Sequence, residues 1–331
     1  MNILVAGAAG FVGSNLCARL LKDGHKVWAV DSFATGRSEN IETLKKNKNF
    51  IFAECKVESD VFLTFIKDSK ITFDRVFDLA CPTGVPNIEF LGEEMMEACS
   101  SGTKNLLKVA LEHKAKFLIT SSYEIYGNPE VSPQAETYTG NVDPVGWRAN
   151  YEEGKRFAET WTMLFVRKYK LDARIVRLFN IYGPQMSPAD FRVIPRFMTQ
   201  ALTGKDVTVH GEGKQQRTLC FVSDLIEGLL IAIEKGTSGE VYNLGSDQTI
   251  SMLDLAKKVI SIIESKSNII FTPRASHDHD SRMPVLAKIH ALGWKQTVPL
   301  EEGLEATAEY FAEYLKNKEG VNLKTNESVS A

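Results

Sequence analysis

Apolar residues in this chain come in short dense runs, separated by stretches where they recur at helical spacing. Asn2–Ala6 is a β-rich run and Gly7–Gly13 a glycine turn. Beyond it Val12, Leu16 and Leu20 repeat every fourth position until Gly24 supplies a stop. Lys26–Val30 predicts the next strand, ending at Asp31. Further buried strands are predicted at Phe50–Ala53, Arg75–Ala80, Lys116–Ser121 and Ala173–Phe179, with helices between them, notably Ser101–His113 and Asn150–Tyr169. Strand and helix alternating in this way predict an α/β fold, a doubly wound parallel sheet of Rossmann type covered on both faces.

After Phe179 the texture changes, because Gly183–Pro184, Ser187–Pro188 and Gly211–Gly213 punctuate the chain with loops. A smaller α/β C-terminal domain is expected, with the chain crossing between the two more than once. The expected division is 1–178 with returns near 218–246 for the first domain, 179–217 and 247–315 for the second, and a polar tail over 316–331.

Composition narrows the function classes. Hydrophobic residues at 44% and charged residues at 24% are ordinary for a globular chain of 331 residues, which excludes wholesale disorder. A net charge of −3 argues against a nucleic-acid surface, and Lys45, Lys46 and Lys48 read as a solvated loop. No apolar run approaches the length of a membrane span. Met1 leads directly into Ile3–Ala6 without a basic leader, so a cytoplasmic protein is expected. Five unpatterned cysteines suit reduced buried thiols, and no Cys/His spacing calls for a metal; His277 and His279 read as solvated side chains in an acidic loop.

The turn Gly7-Ala8-Ala9-Gly10-Phe11-Val12-Gly13 has GxxGxxG spacing, a variant of the dinucleotide fingerprint. Three glycines alone could mark no more than a turn. Here they follow a strand and open a helix, where backbone N–H groups can approach a pyrophosphate. The next strand ends in Asp31, 18 residues after Gly13. A carboxylate there accepts hydrogen bonds from both ribose hydroxyls and repels a 2′-phosphate. NAD is therefore expected rather than NADP, held by Gly7, Gly10, Phe11, Val12, Gly13 and Asp31; Arg37 nearby reads as a solvated loop arginine.

Tyr151 and Lys155 lie one helical turn apart, on one face. Tyrosine titrates near pH ~10, too high for a base at neutral pH. A neighbouring ammonium and the positive nicotinamide would lower that value. The spacing also arises by chance in helices, but Ser121 and Ser122 end a predicted strand, where an open α/β sheet gathers its ligands. A serine there can share a proton with Tyr151.

These segments resemble the extended short-chain dehydrogenase/reductase family, the NAD-dependent epimerases and dehydratases, and within it the UDP-glucuronate decarboxylases. The resemblance runs from Met1 to about Phe311. It is carried by GAAGFVGSNL, DSFATGR, SSYEIYGNPEVSPQAE, GNVDPVGWRANYEEGKRFAET, RLFNIYGPQM, QALTGKDVTVHGEGKQQRTLCFVSDLIEGL and LGWKQTVPLEEGL. It implies a Rossmann domain, a smaller domain closing over a nucleotide-diphosphate sugar (a UDP-sugar above all), and a homodimer built from two long helices per subunit.

Carried over by resemblance, Ser122, Tyr151 and Lys155 are the catalytic set, with Tyr151 and Lys155 also touching the cofactor, and Glu124 is the acidic residue that decarboxylases and 4,6-dehydratases share. Arg282 resembles the decarboxylases' substrate arginine, while Asn180, Arg192 and Arg217 fall where the family holds diphosphate and nucleoside. The resemblance implies oxidation at the sugar's C4, then decarboxylation, with dehydration or C4/C5 epimerisation as alternatives and a non-catalytic NAD-binding protein as a more distant one. Departures cluster near the pocket. Tyr123 stands for the family's serine or aspartate, Trp147 for the proline of a glycine-proline-arginine turn, and Asn150 for a cysteine; Lys56 replaces an adenine-contacting aspartate, Cys99 an asparagine and Val285 an aspartate.

Overall fold

Ile3 and Val5 of the first strand face one side of a sheet, and Leu4 and Ala6 the other; all four are buried. Both faces of this strand must therefore be covered, which is what a parallel sheet clad in helices provides. The computed structural model describes residues 1–273 and 282–319. The strands are β1 Asn2–Ala6, β2 Lys26–Asp31, β3 Phe50–Glu54, β4 Arg75–Asp78, β5 Lys116–Ser122, β6 Ala173–Leu178, β7 Ile181–Tyr182, β8 Val207–His210, β9 Gln216–Thr218, β10 Cys220–Phe221, β11 Val241–Leu244, β12 Thr249–Ser251 and β13 Ile269–Thr272. The helices are α1 Phe11–Lys22, α2 Glu39–Glu42, α3 Asp60–Ser69, α4 Asn87–Phe90, α5 Gly92–Glu97, α6 Thr103–His113, α7 Ala149–Tyr169, α8 Val193–Leu202, α9 Val222–Lys235, α10 Met252–Ile263, α11 Ala287–Ala291 and α12 Leu300–Glu319.

Seven strands form one parallel sheet in the order β3-β2-β1-β4-β5-β6-β11. The direction of winding reverses between β1 and β4, and a crevice opens there at the carboxyl ends of the strands. Leu16 and Leu20 of α1 with Leu225 and Leu229 of α9 cover one face. Leu106 and Ala110 of α6 with Ala158 and Phe165 of α7 cover the other. Each of these buried leucine and phenylalanine side chains contributes about 1.5–3 kcal/mol. The doubly wound α/β expectation holds.

A separate core joins Phe197 and Met198 of α8, Val207 of β8, Leu255 and Val259 of α10, and Phe311 of α12. It carries the paired strands β8 with β13 and β9 with β12. The chain returns to the large sheet through α9 and β11, and again through Ile289 of α11 and Trp294, whose indole donates to the Asp224 carbonyl at 2.8 Å.

Three predicted boundaries shift by two residues or more. β4 stops at Asp78, since the Ala80 N–H turns back to the Asp78 carboxylate at 3.2 Å. The helix expected from Ser101 begins at Thr103, after a π-helical turn over Ala98–Gly102 that links it to α5. α12 runs to Glu319, so the tail expected from 316 starts as helix; residues 320–331 lie outside the described residues, as do His277 and His279. Among the described residues no helix is long and apolar enough to cross a membrane.

Candidate active site

The turn after β1 is closed by backbone. Gly7 has φ +79°, and a Cβ on Gly13 would lie 2.0 Å from the Gly7 carbonyl oxygen. Only glycines allow this approach, so a dinucleotide's pyrophosphate would meet bare N–H groups at the amino end of α1. No side chain among the described residues caps that end at Gly10. Asp31 terminates β2 and accepts from the N–H of Ala9 at 2.9 Å and of Phe33 at 2.8 Å. Burial pushes its carboxyl above the usual range, against the pull of these N–H groups. The floor and strand end fit NAD.

Arg37 is not a solvated loop residue. Its guanidinium donates to Tyr310 Oη at 2.7 Å and to Asn40 Oδ1 at 2.8 Å, and sits 5.0 Å from the Tyr314 ring. The cofactor-side loop is thereby tied to α12 through Nη2, while the buried Nε and Nη1 of Arg37 have no hydrogen-bond partner among the described residues.

All the residues expected for cofactor, chemistry and substrate line one cavity of about 630 Å³. At its centre Ser122 ends β5 and Tyr151 opens α7, hydrogen-bonded to each other. Asn150 Oδ1 accepts the Tyr151 N–H at 2.9 Å while its amide donates to the Ile88 carbonyl at 2.6 Å, which fixes the start of the helix. Burial pushes Tyr151 up to about 12, with Lys155 and the Ser122 hydrogen bond opposing. The lowering expected from the lysine is thus outweighed in the protein alone.

Lys155 is buried and donates to the Thr120 carbonyl at 3.0 Å. Burial works against its charge, but Cys81, Cys99, Tyr151 and Asp78 outweigh it and hold the ammonium protonated. Asp78 was not foreseen as part of this centre. It is buried at the end of β4, accepts from Thr103 Oγ1 at 2.9 Å, and is pushed up to about 6 by burial with Lys155 opposing. Its one sequence signal was a carboxylate closing an apolar strand, as Asp31 does.

Glu124 lies in the 3₁₀ turn Tyr123–Tyr126, its Oε2 at 2.8 Å from both Arg148 Nη2 and Arg282 Nη1. Burial would raise its carboxyl; Arg282 and Arg148 overcome that and hold it below the usual range. Arg282 also donates to the Gly127 carbonyl at 3.0 Å, and its buried Nε has no partner among the described residues. Arg148, seen in the sequence only as part of an altered turn, bonds Glu152 at 3.2 Å as well. Tyr123, the bulkiest departure, stacks on Phe179 at 5.3 Å and lies under the Arg282 guanidinium at 4.8 Å; its hydroxyl donates to Asn180 Oδ1 at 3.2 Å.

Asn180 keeps its buried Nδ2 without a partner among the described residues, which suits an anionic ligand. Arg192 is held by Asp190 at 2.5 Å, and Arg217 donates to the Gln216 carbonyl at 2.8 Å from β9. Of the remaining departures, Lys56 lines the cavity 3.9 Å from Glu97, Val285 bonds the Gln134 carbonyl at 2.8 Å through its N–H, and Cys99 faces Cys81.

Residues 3–245 match the NAD dependent epimerase/dehydratase family. The chain belongs to this family. UDP-glucuronic acid decarboxylase 1 of Danio rerio is 39% identical over 318 residues, 96% of this chain and 74% of that relative. UDP-glucose 4-epimerase from Thermotoga maritima, solved with UDP-glucose, superposes with a TM-score of 0.86 at 30% identity, over 95% of this chain and 100% of that one. UDP-glucuronic acid 4-epimerase from Bacillus cereus, in complex with UDP-glucuronic acid and NAD, gives a TM-score of 0.83 at 28% identity, over 95% of this chain and 100% of that one. The family assignment makes this chain an NAD-dependent enzyme.

Proposed function

We propose that the chain decarboxylates a UDP-uronate through a 4-keto intermediate, with no net redox change. The observation that carries the reading is the Arg282 guanidinium. It is fixed by Glu124 and the Gly127 carbonyl, yet it keeps a buried Nε without a partner among the described residues. Such a donor suits a second carboxylate, that of the sugar's C6. The likeness to a UDP-glucuronic acid decarboxylase points the same way.

In this reading Tyr151 takes the proton of the sugar's 4-hydroxyl, Ser122 shares the hydrogen bond, and Lys155 stabilises the phenolate. Gly7, Gly10, Phe11, Val12, Gly13 and Asp31 would hold NAD, which when bound would supply reversible hydride acceptance beside the sugar's C4. A 4-keto uronate is a β-keto acid, so carbon dioxide leaves as the carbonyl accepts the electrons. Arg282 positions the carboxylate for that loss, Glu124 orients Arg282, and Asn180, Arg192 and Arg217 hold the nucleotide diphosphate. Dehydration is the second reading. It is weakened by Glu124, since a carboxylate kept ionised between two guanidiniums is a poor proton donor to a leaving hydroxyl.

The large-sheet unit would bind the cofactor and the α8–α10–α12 unit close over the sugar nucleotide. The chain would pair as a homodimer through α5 and α7, where Met96, Phe157 and Leu164 are 52%, 49% and 43% exposed. Its five cysteines, all thiols, suit the reducing cytoplasm. The deciding experiment is incubation with a panel of nucleotide sugars while product mass is followed. Loss of about 44 Da from UDP-glucuronate supports the proposal, whereas loss of about 18 Da or an unchanged mass assigns dehydration or epimerisation.

A further inference from the structure

Behind the Tyr151–Lys155 pair lies a second arrangement that the proposed reaction does not use. Cys99 sits on the π-helical turn between α5 and α6 and is 2% exposed. Its Sγ lies 3.6 Å from Cys81 Sγ, and Cys81 lines the cavity from the loop after β4. Cys99 packs against α7 at Gly154, where even an added Cβ would stand in ordinary van der Waals contact, 3.6 Å from Cys99 Cβ and 3.7 Å from its sulfur. The two thiols thus stand in the pocket's inner wall, close to Lys155 and against the residue that precedes it on α7.

We propose that Cys81 and Cys99 form a peroxide-oxidisable dithiol, a modification site whose closure to a disulfide perturbs the Tyr151–Lys155 pair. Cys81 is the attacking thiol because it faces the cavity, and Cys99 the resolving one because it is enclosed. The Cys81 thiolate attacks a peroxide oxygen; the O–O bond breaks, a sulfenic acid forms and one water leaves after protonation. Cys99 sulfur then displaces the hydroxyl of that sulfenic acid, forming the S–S bond and releasing a second water. The net change is two thiols and one hydrogen peroxide to one disulfide and two waters.

The electrostatics fit this division. The hydrogen bond from Cys99, with the Lys155 charge assisting, holds the Cys81 thiol below its ordinary range, while the same bond and burial push Cys99 up. Closure must bring the sulfurs from 3.6 Å to about 2.05 Å, drawing the π turn toward the cavity wall. It also removes a sulfur whose charge helps keep Lys155 protonated. A reducing compartment would keep the pair open until an oxidant arrives.

The test is limited peroxide treatment of the full chain, followed by peptide mapping without reduction. The expected product is a Cys81–Cys99 cross-link about 2 Da lighter than the dithiol, with two of the five thiols lost and regained on adding dithiothreitol. Cys99→Ser should stop at a Cys81 sulfenic acid that a dimedone-type reagent traps, and Cys81→Ser should leave Cys99 as a thiol. Turnover should fall roughly tenfold or more on oxidation and recover on reduction; this arm alone rests on the proposed activity. Cross-links to other cysteines, oxidation of Cys99 first, or Cys81 driven to sulfinic acid beside an intact Cys99 would each overturn the proposal.

Discussion

Glu124 and Arg282, far apart in sequence, meet at 2.8 Å and share one buried ion pair beside Tyr151. The arginine therefore serves two anions in the proposed complex, Glu124 and the sugar carboxylate. Removing it should cost more than binding, because Glu124 would be left with Arg148 alone. Arg282→Ala is expected to lower affinity for UDP-glucuronate by about 2–5 kcal/mol, the range for truncating one partner of a buried charge pair across a binding interface. Affinity for UDP itself should be nearly unchanged. Calorimetry with both ligands checks this, and parallel losses would show that Arg282 grips the diphosphate instead.

Tyr151→Phe removes one hydroxyl and leaves the packing of α7 intact. Turnover should fall by ~10²–10⁴ while the melting temperature stays close to that of the wild type. Because burial raises Tyr151 in the protein alone, the oxidation step in the wild type should quicken with rising pH as the phenolate fraction grows. Absorbance near ~340 nm follows the reduced cofactor directly. Undiminished hydride transfer in the variant would move the base elsewhere, with Tyr123 the nearest phenol to consider.

Asp31 and Gly13 separate cofactor choice from cofactor binding. Asp31→Ser should narrow the preference for NAD over NADP without abolishing binding, since the glycine turn remains. Gly13→Ala should abolish it, because the added methyl would stand 2.0 Å from the Gly7 carbonyl oxygen. Titration of both dinucleotides into each variant measures the two effects; tighter NADP binding by the wild type would remove Asp31 from its role.

Phe157 and Leu164 lie on one face of α7, with Met96 of α5 beside them. Phe157→Glu places a charge on that face and should convert a dimer to a monomer in sedimentation equilibrium. A wild type that is already monomeric at micromolar concentration would dispose of the interface.

What was legible in the sequence follows from where each signal is stored. Strands β1 to β6 stood out because both faces of most of them are buried, so apolar residues dominate their middles. The glycine turn and the Tyr151–Lys155 spacing are local, and a few adjacent residues carry them. The later strands did not show, since β7 and β10 have two residues and β9 and β12 three, too few to display a period. Ile270 and Phe271 of β13 are exposed, which inverts the usual pattern. Partners brought together by the fold were also hidden: Arg37 and Tyr310 are 273 residues apart, and nothing beside Arg37 announces α12. Resemblance placed Glu124 among the site residues, and it lines the cavity, but its double clamp by Arg148 and Arg282 is a product of three segments meeting.

Asp78 gives the sharpest pH dependence. Its carboxyl is pushed from 3.8 to about 6 by burial, with Lys155 pulling the other way. A carboxyl raised in the folded state binds its proton more tightly there than in the unfolded chain. Its contribution to stability is therefore complete below 3.8 and is lost as pH rises through about 6. The difference corresponds to about 3 kcal/mol, or several degrees in melting temperature. Asp78→Asn should remove this step while retaining an acceptor for the Thr103 hydroxyl, so the variant gains on the wild type between pH 4 and 7 and the gap then levels off. Lys155→Met deletes the ammonium that favours the ionised form, and should move the wild-type step to higher pH. Melting curves taken across that range for the three proteins decide the matter. A gap between wild type and Asp78→Asn that does not change with pH would mean that Asp78 ionises as freely in the folded chain as in the unfolded one.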